Sequence, residues 1–103
     1  MLDIDINSKY GILFVRLYGN LTKDTNSKLK EEVFTLINKV GIQNIVINIQ
    51  NLNCIDSSSF KLILKCYNSC DKSLMCINKN QLKLIKGLNY ITNEVEALRK
   101  IKI

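Results

Sequence analysis

Two features of this sequence predict a single α/β domain with a mixed central β-sheet. Segments with the two-residue period of β-strands alternate with segments that have the apolar spacing of helices. Alternating strands and helices favour a largely parallel sheet with short right-handed crossovers. The length of 103 residues is that of one domain. We therefore expect residues 1–103 to form a single domain, with a sheet of about five strands, an N-terminal hairpin and about four helices mainly on one face.

The composition is that of a folded globular protein. Hydrophobic residues make up 47% of the chain and charged residues 23%, far from the composition of disordered proteins. The apolar runs are much shorter than the roughly 20 residues that a membrane-spanning helix needs. The N-terminus lacks the basic segment and apolar stretch of a secretory signal. We expect a cytoplasmic protein without membrane insertion.

The residue types exclude several kinds of chemistry. The sequence contains no histidine, so Ser-His and Cys-His catalysis and imidazole metal ligands are excluded. Cys66 and Cys70 lie four residues apart on a predicted helix, but two thiolates without a second pair are a poor zinc site. We expect packed, reduced thiols, no metal, no cofactor and no enzymatic activity.

The first elements are predicted to form a hairpin. Residues 2–7 alternate apolar and polar side chains, which is typical of an edge strand. Residues 8–11 indicate a turn, and the apolar, β-branched run 12–18 indicates a buried strand. Gly19 and Asn20 are expected to end that strand.

A helix and a central strand are predicted next. Residues 22–27 are rich in capping side chains, so the helix should begin near Thr25, and Gly41 is suited to end it. Residues 45–49 have the apolar pattern of a central strand. The apolar stripe of the helix consists of Leu29, Val33, Leu36, Ile37 and Val40.

The remaining predicted elements are shorter. Four capping residues, 56–59, precede an apolar helical face, so a second helix should open close to Ser57 and end near Cys70. Further predicted elements are a strand over 74–77, a two-turn helix over 80–87 capped by Asn80, a strand over 88–91, and a final helix with an Asn93–Glu96 capping box that runs through Arg99.

The junction between the central strand and the second helix is the candidate functional site. In an open α/β sheet, sites gather where the carboxyl end of a strand meets a helix N-terminus. A phosphoryl group there faces unpaired backbone N–H groups and the positive end of the helix dipole. A serine at this position can therefore be phosphorylated without disrupting the helix. The simpler interpretation, in which Asp56 or a serine only caps the helix, stays open at this level.

Residues 48–58, Asn-Ile-Gln-Asn-Leu-Asn-Cys-Ile-Asp-Ser-Ser, resemble the strand-to-helix signature of the STAS domain of bacterial anti-sigma factor antagonists. In that family the junction reads Asp-Ser-Ser-Gly. Residues 17–21, Leu-Tyr-Gly-Asn-Leu, resemble the family's Leu-x-Gly-Glu-Leu, and the element order is similar. The resemblance implies that Ser57 is phosphorylated, with Ser58 as the alternate.

The resemblance also implies a regulatory partner system. The unphosphorylated protein would bind an anti-sigma factor, itself a serine kinase with a histidine-kinase-like ATPase fold, and so free a sigma factor. Phosphorylation would reverse the binding, and a metal-dependent serine phosphatase would reset it. The docking residues that the resemblance implies are Asn20, Thr22, Asp24, Asp56, Ser57, Ser58, Ser59 and Lys61.

Four positions depart from the family pattern. Ser59 stands in place of a glycine and Lys61 in place of a small residue. Asn20 and Thr22 replace two acids. Ser59, Lys61 and Thr22 keep an alternative function open, a STAS domain that serves as a non-switching scaffold of a larger sensory or lipid-transport assembly.

Nucleic-acid binding is a further alternative. The net charge of +6 and the pI of about 9.2 favour anionic partners. The sequence nevertheless lacks an RNP-like aromatic pair, a GXXG loop and a basic recognition helix. Lys79, Lys83 and Lys86 fit a solvated face or an acidic protein partner.

Overall fold

The computed structural model describes residues 1–101 and contains one five-stranded sheet. The last two residues of the predicted domain, 102 and 103, lie outside the described residues. The strands are β1 Leu2–Lys9, β2 Ile12–Leu21, β3 Asn44–Ile55, β4 Lys72–Cys76 and β5 Tyr90–Ile91. Their order in the sheet is β1-β2-β3-β4-β5, with β1 and β2 antiparallel and every other neighbouring pair parallel. The predicted mixed α/β fold with an N-terminal hairpin is confirmed.

The helices connect the strands as the alternation predicts. The helical elements are α1 Asn26–Leu29, the π-helical turn Lys30–Phe34, α2 Thr35–Val40, α3 Ser57–Asn68, two 3₁₀ helices over Lys79–Ile85 and Glu94–Glu96, and α4 Ala97–Lys100. α1, the π-helical turn and α2 form one helical segment, which ends at Gly41 with φ of 74° as its C-terminal cap. Among residues 1–101, no helix is both long enough and apolar enough to cross a bilayer.

Two apolar clusters lie on opposite faces of the sheet. The alternation of β3 sends Ile45, Ile47 and Ile49 into the larger cluster and Val46 into the smaller one. The larger cluster contains buried residues of the first helical segment, of α3 and of the first 3₁₀ helix, whereas the smaller contains Ala97 of α4. The helices therefore lie mainly on one face, as predicted. β3 lies at the centre of the sheet and presents the candidate site at its carboxyl end.

β2 and β3 are both longer than the sequence predicts. β2 continues through Gly19 and Asn20 to Leu21, and β3 continues beyond Ile49 to Ile55. Two register shifts between these strands accommodate the irregular stretch, because bulges let the paired strands bend and continue. The expected end of β2 at Gly19 and Asn20 is therefore wrong.

Two predicted helices also have different boundaries. α3 ends at Asn68, because Ser69 donates its backbone N–H to Cys66 O and its hydroxyl to Lys65 O. The predicted helix over 80–87 is instead a 3₁₀ helix capped by Asn78, whose side chain forms a capping box with Gln81.

The end of the chain also differs in its cap. Asn93 caps the last helical segment by accepting the backbone N–H of Val95, rather than through a capping box with Glu96.

Val40, the last residue of the predicted apolar stripe, is 62% exposed at the end of α2.

A polar network fixes the C-terminal segment to the face of the sheet that α4 covers. Glu94 accepts hydrogen bonds from Arg16 Nη2 at 2.8 Å and from Asn48 Nδ2 at 2.6 Å. Arg16 Nη1 also donates to Asp5 at 2.9 Å. The network connects β1, β2 and β3 to the segment before α4. The hydrogen bond to Glu94, supported by that to Asp5 and by the two negative charges, raises the pKa of Arg16.

Candidate functional site

Ser57 is the first residue of α3 and lies two residues after Ile55, the last residue of β3. Asp56 precedes it as the N-cap, with the extended backbone angles that a cap requires (φ −93°, ψ 166°). The cap is therefore the aspartate, so none of the three following serines is needed in that role. Because β3 is parallel to its two neighbours, this helix N-terminus lies at the carboxyl edge of the sheet.

The carboxylate of Asp56 bridges the helix and the loop after β2. Its Oδ1 accepts the backbone N–H of Ser59 at 2.8 Å and the hydroxyl of Ser58 at 3.1 Å. Its Oδ2 accepts the backbone N–H of Lys23 at 2.8 Å. Hydrogen bonds from Ser59, supported by those from Lys23 and Ser58, lower the pKa of Asp56 from 3.8 to about 2. Asp56 therefore carries a negative charge at neutral pH.

The segment on the other side of this bridge, residues 19–25, consists of the last three residues of β2 and the loop that follows them, and it is held in a fixed shape. Thr25 donates its hydroxyl to Asn20 O at 2.8 Å and accepts the backbone N–H of Thr22 at 3.0 Å. Gly19 has φ of 96°, and a side chain there would overlap the carbonyl oxygen of Met1. The backbone N–H of Asp56 donates to Leu21 O at 3.1 Å. The loop and the start of α3 therefore form one connected surface, which we call the α3 surface.

The three serines have different environments. Ser57 is exposed, and its hydroxyl has no hydrogen-bond partner within residues 1–101. Ser58 is exposed, but its hydroxyl is bound to Asp56. Ser59 is fully buried and accepts a hydrogen bond from Asn26 Nδ2 at 3.2 Å. Ser57 is the one of the three whose hydroxyl is both accessible and unengaged.

The other candidate residues lie around the same junction. Asn20, near the end of β2, and Thr22, in the loop after it, are partly exposed, and Asp24 is exposed beside Lys23. Lys61 is exposed on α3, four residues after Ser57 and thus on the same side of the helix. The structure brings the loop and the helix N-terminus together, whereas Ser59 faces inward and holds α3 against Asn26.

Three contributors to this site escaped the sequence interpretation. The backbone N–H of Lys23, the amide of Asn26 and the hydroxyl of Thr25 all hold the loop or the helix start. The Thr22–Thr25 spacing carries a signal, because a hydroxyl three residues on can close a turn. Asn26 and Lys23 carry none, since their bonds connect residues 33 positions apart.

The four cysteines are free thiols and lie apart from this junction, except for Cys54. Cys54 is exposed on β3, where it lies opposite Asn20 of β2. Burial raises the pKa of Cys66 to about 11 and that of Cys76 to about 12. The buried thiols are thus neutral packing groups.

A model of the STAS domain matches residues 3–78 of this chain. The fold is similar to that of the anti-sigma factor antagonist SpoIIAA in its unphosphorylated form, with a TM-score of 0.76 and 18% identity, over 94% of this chain and 96% of that one. SpoIIAA from Bacillus in its phosphorylated form gives 0.71 and 18%, over 94% and 98%.

An anti-sigma factor antagonist from Mycobacterium paratuberculosis is also similar, with a TM-score of 0.86 and 12% identity, over 100% of this chain and 96% of that one. At such low identities the structural likenesses establish the fold. The family match covers most of the chain and includes both β3 and α3. This chain therefore belongs to the STAS-domain family.

Proposed function

We propose that residues 1–103 form one STAS domain that acts as an anti-sigma factor antagonist in the bacterial cytoplasm. In its unmodified form the α3 surface binds an anti-sigma factor with a histidine-kinase-like ATPase fold, and a sigma factor is released. The chain is the substrate of that kinase rather than an enzyme. The observation that carries the proposal is the free, exposed hydroxyl of Ser57 at the N-terminus of α3.

The environment of Ser57 suits a phosphate. Its position exposes the group to the unpaired N–H groups and positive dipole end of a twelve-residue helix. The hydroxyls of Ser58 and Ser59 are bound to Asp56 and Asn26, whereas the Ser57 hydroxyl has no hydrogen-bond partner within residues 1–101. Modification of Ser57 therefore breaks no hydrogen bond among these residues. We therefore expect phosphorylation to leave the fold intact.

Phosphorylation also changes the charge of the α3 surface. Asp56, with a pKa of about 2, is already ionised beside Ser57. A phosphate adds about two further negative charges at this point. The exposed Lys61, four residues on, is the nearest cation on the same side of α3. The added charge opposes docking by repulsion and by the cost of removing water from the phosphate.

The similar folds support the same switch. SpoIIAA is an anti-sigma factor antagonist known in an unphosphorylated and a phosphorylated form. Return of this chain from the phosphorylated to the unphosphorylated form requires a serine phosphatase, which is its second partner. A non-switching scaffold in a sensory or lipid-transport assembly is the alternative, favoured by Lys61, whose exposed charge stands where antagonists have a small residue.

An affinity capture from a lysate of the source organism distinguishes the two functions. The baits are the wild type, Ser57→Asp, and Asn38→Asp, which adds the same charge at an exposed position of α2. We expect the wild type and Asn38→Asp to retain a histidine-kinase-like ATPase that Ser57→Asp loses. Recovery of the same multi-subunit assembly by all three baits would instead support the scaffold function.

Titration calorimetry with the captured ATPase then measures the switch. We expect Ser57→Asp to weaken binding by more than about 1.4 kcal/mol, a tenfold loss of affinity. Equal affinities of the wild type and Ser57→Asp would contradict the proposal.

A further inference from the structure

The outer edge of β1 is an open row of backbone hydrogen-bonding groups. β1 is an eight-residue edge strand, whereas the opposite edge, β5, has only two residues. A long unpaired edge is a template for another strand unless it is blocked. The edge of β1 is therefore open to pairing with a strand of another chain.

The register of the hairpin decides which residues form this row. Met1 O accepts the backbone N–H of Asn20, and Leu2 pairs with Gly19. The odd-numbered residues of β1 therefore direct their backbone N–H and C=O groups toward β2. The even-numbered residues direct their N–H and C=O groups away from the sheet. Leu2 O is covered by Lys28 Nζ at 2.9 Å. The backbone groups of Ile4, Ile6 and Ser8 remain open, since within residues 1–101 nothing else hydrogen-bonds to this row.

The charges of β1 are arranged symmetrically about Ile6. Asp3 and Lys9 both lie on the odd-numbered face, are exposed, and stand three residues before and after Ile6. Asp5, between them, already forms an ion pair with Arg16 at 2.9 Å. Asp3 has no ion-pair partner in the described part of the chain, and Lys9 contacts only the ring of Tyr10, at 5.5 Å.

We propose that β1 pairs antiparallel with β1 of a second copy of this chain, with the two-fold axis at Ile6. This register places each Ile6 opposite the other, Ile4 opposite Ser8, and Asp3 opposite Lys9. It forms about six backbone hydrogen bonds from the open groups and an ion pair on each side of the axis. The two sheets become one continuous sheet with a closed, isologous interface.

Other registers satisfy fewer groups. Only even-numbered residues point outward, so the register can shift only in steps that pair even with even. Moving the two-fold axis from Ile6 to Asp5 places Asp5 opposite Asp5, and moving it further to Ile4 places Asp3 opposite Asp5. Moving the axis the other way, to Asn7, brings Lys9 opposite Asp5, whose carboxylate is already bound to Arg16. The register centred on Ile6 is the one that uses the unpaired charges.

Ile4 and Ile6 add an apolar contribution. Both are partly buried and pack against the larger core cluster. In the dimer each contacts its counterpart strand on the same face, which extends that cluster across the axis. The interface is small, so the dimer is expected to be weak and concentration-dependent.

Charge exchange tests the register directly. We expect sedimentation equilibrium to show a wild-type monomer–dimer equilibrium below about 1 mM. Asp3→Lys and Lys9→Asp should each raise the dimer dissociation constant by roughly tenfold or more, since symmetry counts every repulsive pair twice. Mixing the two variants should restore dimers, because each Lys–Lys chain then meets an Asp–Asp chain. The controls Lys39→Asp and Asp71→Lys change the same charges at exposed positions outside β1.

A second variant tests the backbone ladder. Ser8→Pro removes an outward N–H without touching the β2 pairing, and it should weaken the dimer while circular dichroism stays unchanged. The proposal is overturned if the wild type stays monomeric throughout this concentration range. It is also overturned if the dimer forms but Asp3→Lys affects it no more than Asp71→Lys, or if mixing the opposite variants restores nothing.

Discussion

The carboxylate of Asp56 accepts the backbone N–H of Lys23 at 2.8 Å, across 33 residues of sequence. The same carboxylate caps α3 through Ser59. One side chain therefore fixes both the start of the helix and the loop beside it. Because both halves of the α3 surface depend on Asp56, the relative position of the loop and Ser57 is set by this residue.

Replacement of Ser57 and Ser58 one at a time identifies the phosphorylated position. We expect Ser57→Ala to abolish phosphate incorporation by the captured ATPase and to remain folded, since the Ser57 hydroxyl has no partner within residues 1–101. Ser58→Ala should still be phosphorylated. Intact-mass spectrometry after incubation with ATP measures the modification. Phosphate on Ser57→Ala at the wild-type level would assign the site to Ser58 instead.

The stability that Asp56 contributes should depend on pH. Its pKa is lowered from 3.8 to about 2 in the folded chain, so its contribution is present above the unfolded value and is lost as pH falls through that interval. We expect Asp56→Asn to be less stable than the wild type at pH 7, and the difference to shrink between pH 4 and 2. Urea unfolding across this pH range measures both. A constant difference would show that the carboxylate charge plays no part.

Gly19 should be intolerant of any side chain. Gly19→Ala combines a left-handed backbone with overlap on Met1 O, and we expect a loss of about 2 kcal/mol or more in the free energy of unfolding. Gly41→Ala is the matched control, because its φ is also positive but its Cβ meets nothing within 4 Å. It should cost about 1 kcal/mol. Equal costs for the two variants would mean that the contact with Met1 is relieved by movement of the chain end.

Glu94 should stabilise the C-terminal segment. Glu94→Gln weakens the acceptor for both Arg16 and Asn48, and we expect a loss of about 1–3 kcal/mol. Glu96→Gln serves as the control, since the Glu96 carboxylate has no hydrogen-bond partner among residues 1–101. Thermal unfolding of the two variants tests this. A similar stability of both would place the anchoring of α4 in the apolar cluster alone.

Cys54 should be the reactive thiol. It is exposed, whereas burial raises the pKa of Cys66 to about 11 and that of Cys76 to about 12. We expect one thiol of the native chain to react with a disulfide reagent more than about tenfold faster than the buried two. Cys54→Ser should remove this fast phase and Cys76→Ser should not. A fast phase that survives Cys54→Ser would point to Cys70.

The sequence alone determined the architecture and the place of the candidate site. Strand and helix periods are local properties, so the hairpin, the central strand and the start of α3 at Ser57 were all predictable. The family resemblance rests on the same local junction, on residues 17–21 and on the order of the elements. The lengths of β2 and β3 were not predictable, because bulged pairing depends on the neighbouring strand rather than on the residues themselves.

The family resemblance singled out Ser57, but only the tertiary structure showed how the environments of the three serines differ. The fold buries Ser59 against Asn26, engages Ser58 with Asp56 and leaves Ser57 free. The contact that buries Ser59 joins segments 33 residues apart and carries no signature in either segment alone, whereas the bond between Ser58 and Asp56 is local. The outward row of β1 is likewise set by its register with β2, since the direction of each N–H follows from strand pairing and not from side-chain alternation.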